Sequence, residues 1–499
     1  MGKFVKLQAK DLIKIRDVNP GLMSYNVEMT EVTGGTFWKA YTKAQVEGKE
    51  DFPPIKGIQG MQDIMQVYPP INLYDEKLRK LAKAFGPVWV RVSGTWATKT
   101  YYDLEDKTNG VVPAGYQSVL TRKQWQGVLD FCNAIDAKLL VSVNNCEGLH
   151  KASEPWNPSQ AEELFRFAKE NGHPIKAAEF MNEPNMLAFS GAPVGYTAED
   201  YRRDQDLFFK WLKENYPEVL RVGPCTVAAE MGPEAGMDTS GLGGLFGDNV
   251  STDGLMEGTV EPIDVYSYHY YNGISDRLMS VMPQMHWSPD STLSEAYLSV
   301  ALKCAIGNAP YRDKYCPKGE MWVTESGDAG GGGDSWASTY MEVFRTLNEL
   351  GGFAKITDGV IFHNTLASSA YGFLEHGSFD PRPNYFAVLL WTRLMGNEVY
   401  ESGIEVEEGA HIYAHSRKDG KDGYAYLVIN NSKENETVIE LPHEAEVYML
   451  SADFLRCETM RLNGRELVLG ENNELPDLSP VKVDKELVLP PATIAFIVL

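Results

Sequence analysis

The amino-acid sequence predicts an α/β protein, a (β/α)8 TIM barrel followed by an antiparallel β-sandwich. Two observations point to the barrel and one to the sandwich. Short apolar runs alternate with amphipathic stretches, and repeated β-then-α units over roughly 250 residues or more are the sequence form of a (β/α)8 barrel. The competing open, doubly wound sheet calls for a glycine-rich phosphate loop after its first strand, and none follows Met23–Val27. Beyond about residue 396, helical periodicity gives way to short alternating runs separated by turn residues.

Met23–Val27 reads as the first strand and Val88–Val92 as the second. A helical pattern around Trp125–Ile135 leads into extended Leu139–Val143. Helical Ala161–Glu170 precedes extended Ile175–Met181, and helical Tyr201–Glu214 precedes Val219–Val222. Ile263–Tyr268, Met321–Val323 and Gly359–Phe362 complete the set, with helices at Ser294–Ile306 and Ser338–Leu350. The barrel is assigned to residues 16–395 and the sandwich to 396–499, joined by a strand from 1–15. The sandwich runs are His411–Ala414, Tyr424–Ile429, Thr437–Leu441, Glu446–Leu450, Glu466–Leu469, Glu486–Leu489 and Thr493–Val498.

Composition narrows the function. Lys plus Arg number 46 against 69 Asp plus Glu, a net charge of −23. Such a surface repels polyanions, so nucleic acid is excluded as a partner, and a highly sulfated polysaccharide would need a basic patch that the sequence lacks. A single anionic sugar needs only a few local donors. The six cysteines form no CxxC pair and read as buried small hydrophobes. No run reaches transmembrane length, and the N-terminus has no apolar signal-like stretch, so a soluble chain is expected, its compartment open.

In such a barrel, reactive groups stand at the C-terminal ends of strands. Two glutamates fall there: Glu183 after the fourth strand, in Met-Asn-Glu-Pro-Asn, and Glu325 after the seventh, in Trp-Val-Thr-Glu-Ser. Alone, Asn-Glu-Pro is an ordinary strand-to-loop turn, and a lone Glu usually lies on a solvated face. Jointly they can meet across the barrel mouth, as glycoside hydrolysis requires of its two carboxyls. Pro184 stops the strand just after Glu183. Asn182 would offer an amide to a sugar hydroxyl.

The glycine run Gly330–Gly333 reads two ways. It is a flexible surface loop, or its N–H groups form a concave nest for an anion. His269, Trp96, Trp336, Tyr271 and Thr95 are equally open between packing and ligand contact.

The Asn-Glu-Pro and Glu325 pattern resembles the clan of retaining barrel glycosidases. Within it the chain resembles glycoside hydrolase family 79, the β-glucuronidase and heparanase family. The resemblance rests on Tyr268-His269-Tyr270-Tyr271-Asn272-Gly273, the glycine run, and Tyr371 followed by Phe379-Asp380-Pro381-Arg382-Pro383. It rests also on Arg91-Val92-Ser93-Gly94-Thr95. It implies Glu183 as acid/base and Glu325 as nucleophile, with no metal or organic cofactor. It further implies Asn182 on the 2-hydroxyl, Tyr270 beside the nucleophile, and Glu28 on sugar hydroxyls. Gly331, Gly332 and Tyr371 match positions that hold a uronic acid carboxylate. The implied reaction is double displacement with carboxyls about 5–5.5 Å apart.

The chain departs from the basic, heparin-binding branch of that family by its acidity and by the unmatched segment Val32–Pro70, which reads as a wall of the cleft. Both departures favour exo-cleavage of small or lightly charged glucuronides. An internally cutting enzyme, a neutral-sugar β-glycosidase and a carbohydrate-binding pseudoenzyme remain the alternatives.

Overall fold

The computed structural model describes residues 2–227 and 249–499. Eight parallel strands close into a barrel in sequence order. They are β1 (Met23–Glu28), β2 (Trp89–Ser93), β3 (Lys138–Ser142) and β4 (Ala177–Glu179). β5 (Leu220–Val227), β6 (Val265–Ile274), β7 (Glu320–Gly330) and β8 (Ile361–His363) complete it. The predicted barrel strands all appear, with β5, β6 and β7 running several residues further than their apolar runs. The predicted helix Ser294–Ile306 is two helices, Glu295–Leu298 and Val300–Tyr315.

The barrel interior is layered. Trp89, Leu140, Ala177, Val222, Val265, Trp322 and Phe362 form one buried apolar cluster. Two residues further along their strands stand Arg91, Ser142, Glu179 and Ser267, all fully buried. Strand alternation fixes this, because residues two apart share a face. The apolar floor excludes water from below, and the polar layer above it faces the mouth.

A nine-stranded and a three-stranded sheet follow the barrel. In the large sheet Tyr424–Asn430 and Thr493–Val498 pair antiparallel at the centre. Lys14–Asp17 pairs with Met395–Tyr400 in the large sheet, and Lys3–Lys6 pairs with Thr437–Glu440 in the small one. The run Glu466–Leu469 is not a strand beyond Glu466. The ladder there is a two-residue hairpin, Arg461–Leu462 against Arg465–Glu466, and Leu467 turns inward to become buried.

The helix Tyr340–Ile356 is buried from Tyr340 to Ala354. The Tyr340 hydroxyl donates to the carbonyls of Leu450 (2.9 Å) and Ala492 (3.1 Å), and Tyr413 donates to Asn348 at 2.7 Å. One apolar cluster runs from β1 through this helix into the large sheet. All six cysteines are free thiols. Among the described residues no helix is long and apolar enough to cross a membrane.

Candidate active site

A one-residue bulge aims Glu325. Along β6 and β7, Tyr268 pairs with Val323, but His269 pairs with Glu325, so Thr324 is the extra residue. Trp322 belongs to the barrel interior and Val323 to the outer cluster. Plain alternation would turn Thr324 inward and Glu325 outward. The bulge reverses that and points Glu325 into the mouth.

Glu183 lies four residues beyond Glu179, the last paired residue of β4. Its φ of 47° is a left-handed conformation that non-glycine residues rarely adopt, and such positions cluster at working sites. One oxygen of each glutamate and one ring nitrogen of His269 lie within 4.8 Å of one another.

Arg91 organises the charge. Its guanidinium donates to both oxygens of Glu179 at 3.0–3.1 Å, to Glu325 Oε2 at 3.2 Å and to Asn182 Oδ1 at 2.8 Å. Burial works against the Arg91 charge, but Glu179 and Glu325 outweigh it and keep it protonated. Burial also works upward on the Glu179 carboxyl, yet Arg91 holds it below the ordinary glutamate range.

Burial pushes the His269 imidazole down to about 4, so the ring is neutral near pH 7. Its Nε2 faces Arg91 Nη2 at 3.3 Å. Arginine can only donate, so Nε2 accepts and Nδ1 carries the hydrogen. That Nδ1–H faces Glu183 Oε1 at 3.0 Å and Glu325 Oε2 at 3.5 Å.

The two carboxyls sit in unlike surroundings. Glu325 Oε1 accepts from the Tyr271 hydroxyl and from Asn364 Nδ2 (3.2 Å), while its Oε2 takes Arg91. Glu183 has His269 as its charged-form partner, and burial raises its carboxyl to about 7 against the opposing pull of Arg91. One carboxyl that holds a proton near neutrality beside one wrapped in donors is the division of labour that acid-assisted displacement needs.

Both glutamates open into a cavity of about 860 Å³. Glu28, Asn182, Tyr271, Gly331, Asn364 and Tyr371 line the same cavity. Glu28 Oε2 is buried with no hydrogen-bond partner among the described residues. Burial, then Glu325 and Glu31, push the Glu28 carboxyl well up. Gly94 makes room for it, since a Cβ there would stand 1.7 Å from Glu28 Oε2. Asn364 Nδ2 also donates to the hydroxyls of Tyr271 (3.0 Å) and Tyr371 (3.1 Å).

The glycine run is an ordered loop. Ser275 N–H takes the Gly330 carbonyl, Ser275 Oγ the Gly331 carbonyl, Ala370 N–H the Gly332 carbonyl and Tyr41 the Gly333 carbonyl. Asp276 and Asp334 brace it, each accepting a backbone N–H from the other's segment. Asp276, His286 and Asp334 have metal-ligand spacing, but His286 Nε2 bonds Asp276 at 2.8 Å, and the backbone N–H groups of Asp276 and Ser335 bond the two aspartates. The cluster is explained as a lock on the loop.

Two sequence assignments shift. The tyrosine at Glu325 is Tyr271, not Tyr270. Alternation puts His269 and Tyr271 on the cavity face and sends Tyr270 outward to the apolar cluster, near Arg345 and Glu349. Gly332 does not line the cavity. A Cβ there would meet Trp38 at 2.7 Å and Arg277 Nη1 at 2.8 Å. Thr95 and Trp96 are in the wall, Trp336 is fully buried, and His269 lies between the glutamates. The segment Val32–Pro70 does form a wall, through the hairpin Gly35–Trp38 and Met65–Tyr68. Sequence reasoning left Arg91 and Asn364 without roles. A charged residue inside the apolar run Val88–Val92 was the available signal, because a buried charge needs partners.

A closed barrel whose mouth holds two buried, facing carboxyls defines a barrel glycoside hydrolase. The chain belongs to glycosyl hydrolase family 79, whose N-terminal domain model matches residues 70–351. Heparanase-like protein 1 of Arabidopsis thaliana is 25% identical over 477 residues, covering 85% of this chain and 83% of that protein. Baicalin-beta-D-glucuronidase of Scutellaria baicalensis is 25% identical over 467 residues, covering 86% and 83%. Among solved structures, a 4-O-alpha-L-rhamnosyl-beta-D-glucuronidase from Fusarium oxysporum superposes with a TM-score of 0.64 at 12% identity, covering 99% of this chain and 100% of that one.

Proposed function

We propose that the protein is a retaining, exo-acting β-glucuronidase. The observation that carries the retaining mechanism is the approach of the Glu183 and Glu325 carboxyl oxygens to within 4.8 Å. Inverting enzymes leave roughly 6.5–9.5 Å between the groups for a water, whereas retaining enzymes hold them about 5–5.5 Å apart. Glu325 attacks the anomeric carbon as Glu183 protonates the departing oxygen. Water then releases the sugar, with Glu183 taking the proton back. Tyr271 and Arg91 orient the nucleophile. His269 Nδ1–H bridges the two carboxyls, and Asn182, held by Arg91, faces the sugar 2-hydroxyl.

The glucuronic acid assignment rests on Gly331 and Tyr371, with Gly332 behind them. In a planar trans peptide the N–H points away from the carbonyl. With the Gly330 and Gly331 carbonyls tied to Ser275, the N–H groups of Gly331 and Gly332 face the opposite way. Arg277 stands behind this loop with a buried Nη1 that has no hydrogen-bond partner among the described residues, which favours an anion in front. The Tyr371 hydroxyl accepts from Asn364 and keeps its own hydrogen for a ligand. Relatives named for glucuronide cleavage agree with this reading. The wall built by Val32–Pro70 and the net charge of −23 favour terminal cleavage of small glucuronides over internal cleavage of a sulfated chain.

Hydrolysis of a β-glucuronide and of the matching β-glucoside, side by side, tests the sugar. Preference for the glucuronide is expected. Equal or better turnover of the glucoside assigns a neutral sugar instead. A Glu325→Gln protein that keeps its turnover refutes catalysis by this pair.

A further inference from the structure

The cavity is much larger than one sugar ring needs, and its outer part is chemically unlike its inner part. The inner end carries Glu28, Asn182, Tyr271, Asn364 and Tyr371 around the two glutamates. Among the described residues, the outer walls carry five methionines, Met61, Met65, Met186, Met282 and Met285. Phe37, Trp38, Trp96 and Phe189 add aromatic surface, and Phe37 meets Trp96 edge-on at 5.0 Å. Met186 and Phe189 follow Glu183 by three and six residues, so they flank the acid, where the leaving group departs.

Three of these wall residues are exposed although large and apolar: Met61 at 41%, Phe189 at 46% and Val67 at 76%. Apolar surface gathered at the rim of a reactive cavity marks a ligand contact. Lys99 is the one cation among the described lining residues, and burial pushes its ammonium down. Gln62, Gln66 and Gln117 supply neutral donors and acceptors. Thioether side chains adapt to flat rings and make favourable sulfur–aromatic contacts.

We infer that the leaving-group subsite takes a flat, uncharged, aromatic aglycone with polar edges, not a second sugar of an anionic chain. This rests on the β-glycosidase reading of the Glu183–Glu325 pair and deepens it by naming the aglycone class.

The test crosses two sugars with two aglycones. The aglycones are 2-naphthylmethanol and N-acetylglucosamine, each linked to glucuronic acid or glucose. Both are alkyl alcohols, so intrinsic leaving-group ability does not favour the aromatic one. The naphthylmethyl conjugate is expected to exceed the disaccharide in kcat/KM by about 100-fold, chiefly through KM. The double variant Met61→Gln, Phe189→Ser should raise KM for the naphthylmethyl conjugate about tenfold while methyl glucuronide kinetics stay unchanged. Equal rates on the two aglycones overturn the inference, as does a loss in the double variant that methyl glucuronide shares. If the glucosides are cut and the glucuronides are not, the sugar assignment fails and the aglycone comparison still decides. If no conjugate is cut, quenching of Trp38 and Trp96 fluorescence by 2-naphthylmethanol decides: saturable quenching supports the subsite, and its absence overturns it.

Discussion

Arg91 Nη1 donates to Glu325 Oε2 at 3.2 Å while the rest of its guanidinium clasps Glu179. The nucleophile therefore shares its counter-ion with a carboxylate that never meets substrate. Arg91 is locked from below by Glu179 and cannot swing away when Glu325 gains a covalent bond to the sugar. Arg91→Met leaves Glu179 buried and unpaired. Breaking a buried pair this way costs about 3–5 kcal/mol. The expected outcome is a large drop in melting temperature together with a kcat loss, measured by thermal denaturation and steady-state kinetics. Arg91→Met with Glu179→Gln should recover much of the stability and little of the kcat.

Small nucleophiles separate the two glutamates. Glu325→Ala should be inactive and be rescued by azide to an α-glycosyl azide, because azide fills the space of the missing carboxylate. Glu183→Ala should retain turnover only of substrates with good leaving groups, and azide should give the β-glycosyl azide. The anomeric configuration of the two products, read by NMR, checks the assignment. Identical products from the two variants contradict double displacement.

Glu183 must carry its proton when the bond breaks. Burial places its carboxyl at about 7, so kcat/KM should fall as pH rises through about 7. In Glu183→Gln that limb should disappear from the residual activity on an activated aryl glycoside. A pH–rate profile from 5 to 9, within roughly two units of that value, is the measurement.

The same group makes stability depend on pH. Its folded value, about 7, lies above the ordinary glutamate value of 4.5. Below 4.5 both folded and unfolded states hold the proton, and burial of the neutral acid is tolerated. As pH rises from 4.5 to about 7 the unfolded state loses its proton first, so this stabilising contribution is lost. Above about 7 the native state holds a buried charge at a cost on the order of 3 kcal/mol. Glu183→Gln is neutral throughout. Its melting temperature should equal wild type near pH 4.5 and exceed it at pH 8, by differential scanning calorimetry.

Gly94 tests the packing behind Glu28. Its φ is +91°, and a Cβ would stand 1.7 Å from Glu28 Oε2. Gly94→Ala should lose about 1–3 kcal/mol of stability and raise KM, since Glu28 must leave the cavity. An alanine variant with wild-type KM would place Glu28 outside the sugar site.

The barrel strands and both glutamates were legible because each strand is an apolar run bounded by polar ends, and Pro184 marks where β4 stops. Which side Glu325 faces was not. The Thr324 bulge sets it, and a bulge arises from pairing between strands, with no local mark. The exchange of Tyr271 for Tyr270 has the same origin, since one residue of register moves a side chain to the opposite face. Arg91 was visible as a charge in an apolar run, but its partners Glu179 and Glu325 lie 88 and 234 residues away along the chain. The glycine loop reads as flexible from composition alone. It is ordered by donors from Tyr41, Ser275 and Ala370, which lie in three separate segments.

The helix Tyr340–Ile356 carries a consequence for how the protein is made. On one side Arg345 grips Glu349, and Glu349 accepts from the Ser326 hydroxyl, next to the nucleophile. On the other side Tyr340 donates to Leu450 and Ala492, and Tyr413 to Asn348. A nascent chain that has released all eight barrel strands, but not yet Thr493–Val498, leaves the sheet behind this helix open between Tyr424–Asn430 and Ala445–Ser451. Such a chain is expected to hold its reactive carboxyls in an unsettled frame. Catalytic competence should then arrive late in synthesis, with the central strand of the far sheet, and a ribosome-stalled chain ending before residue 493 should be inert.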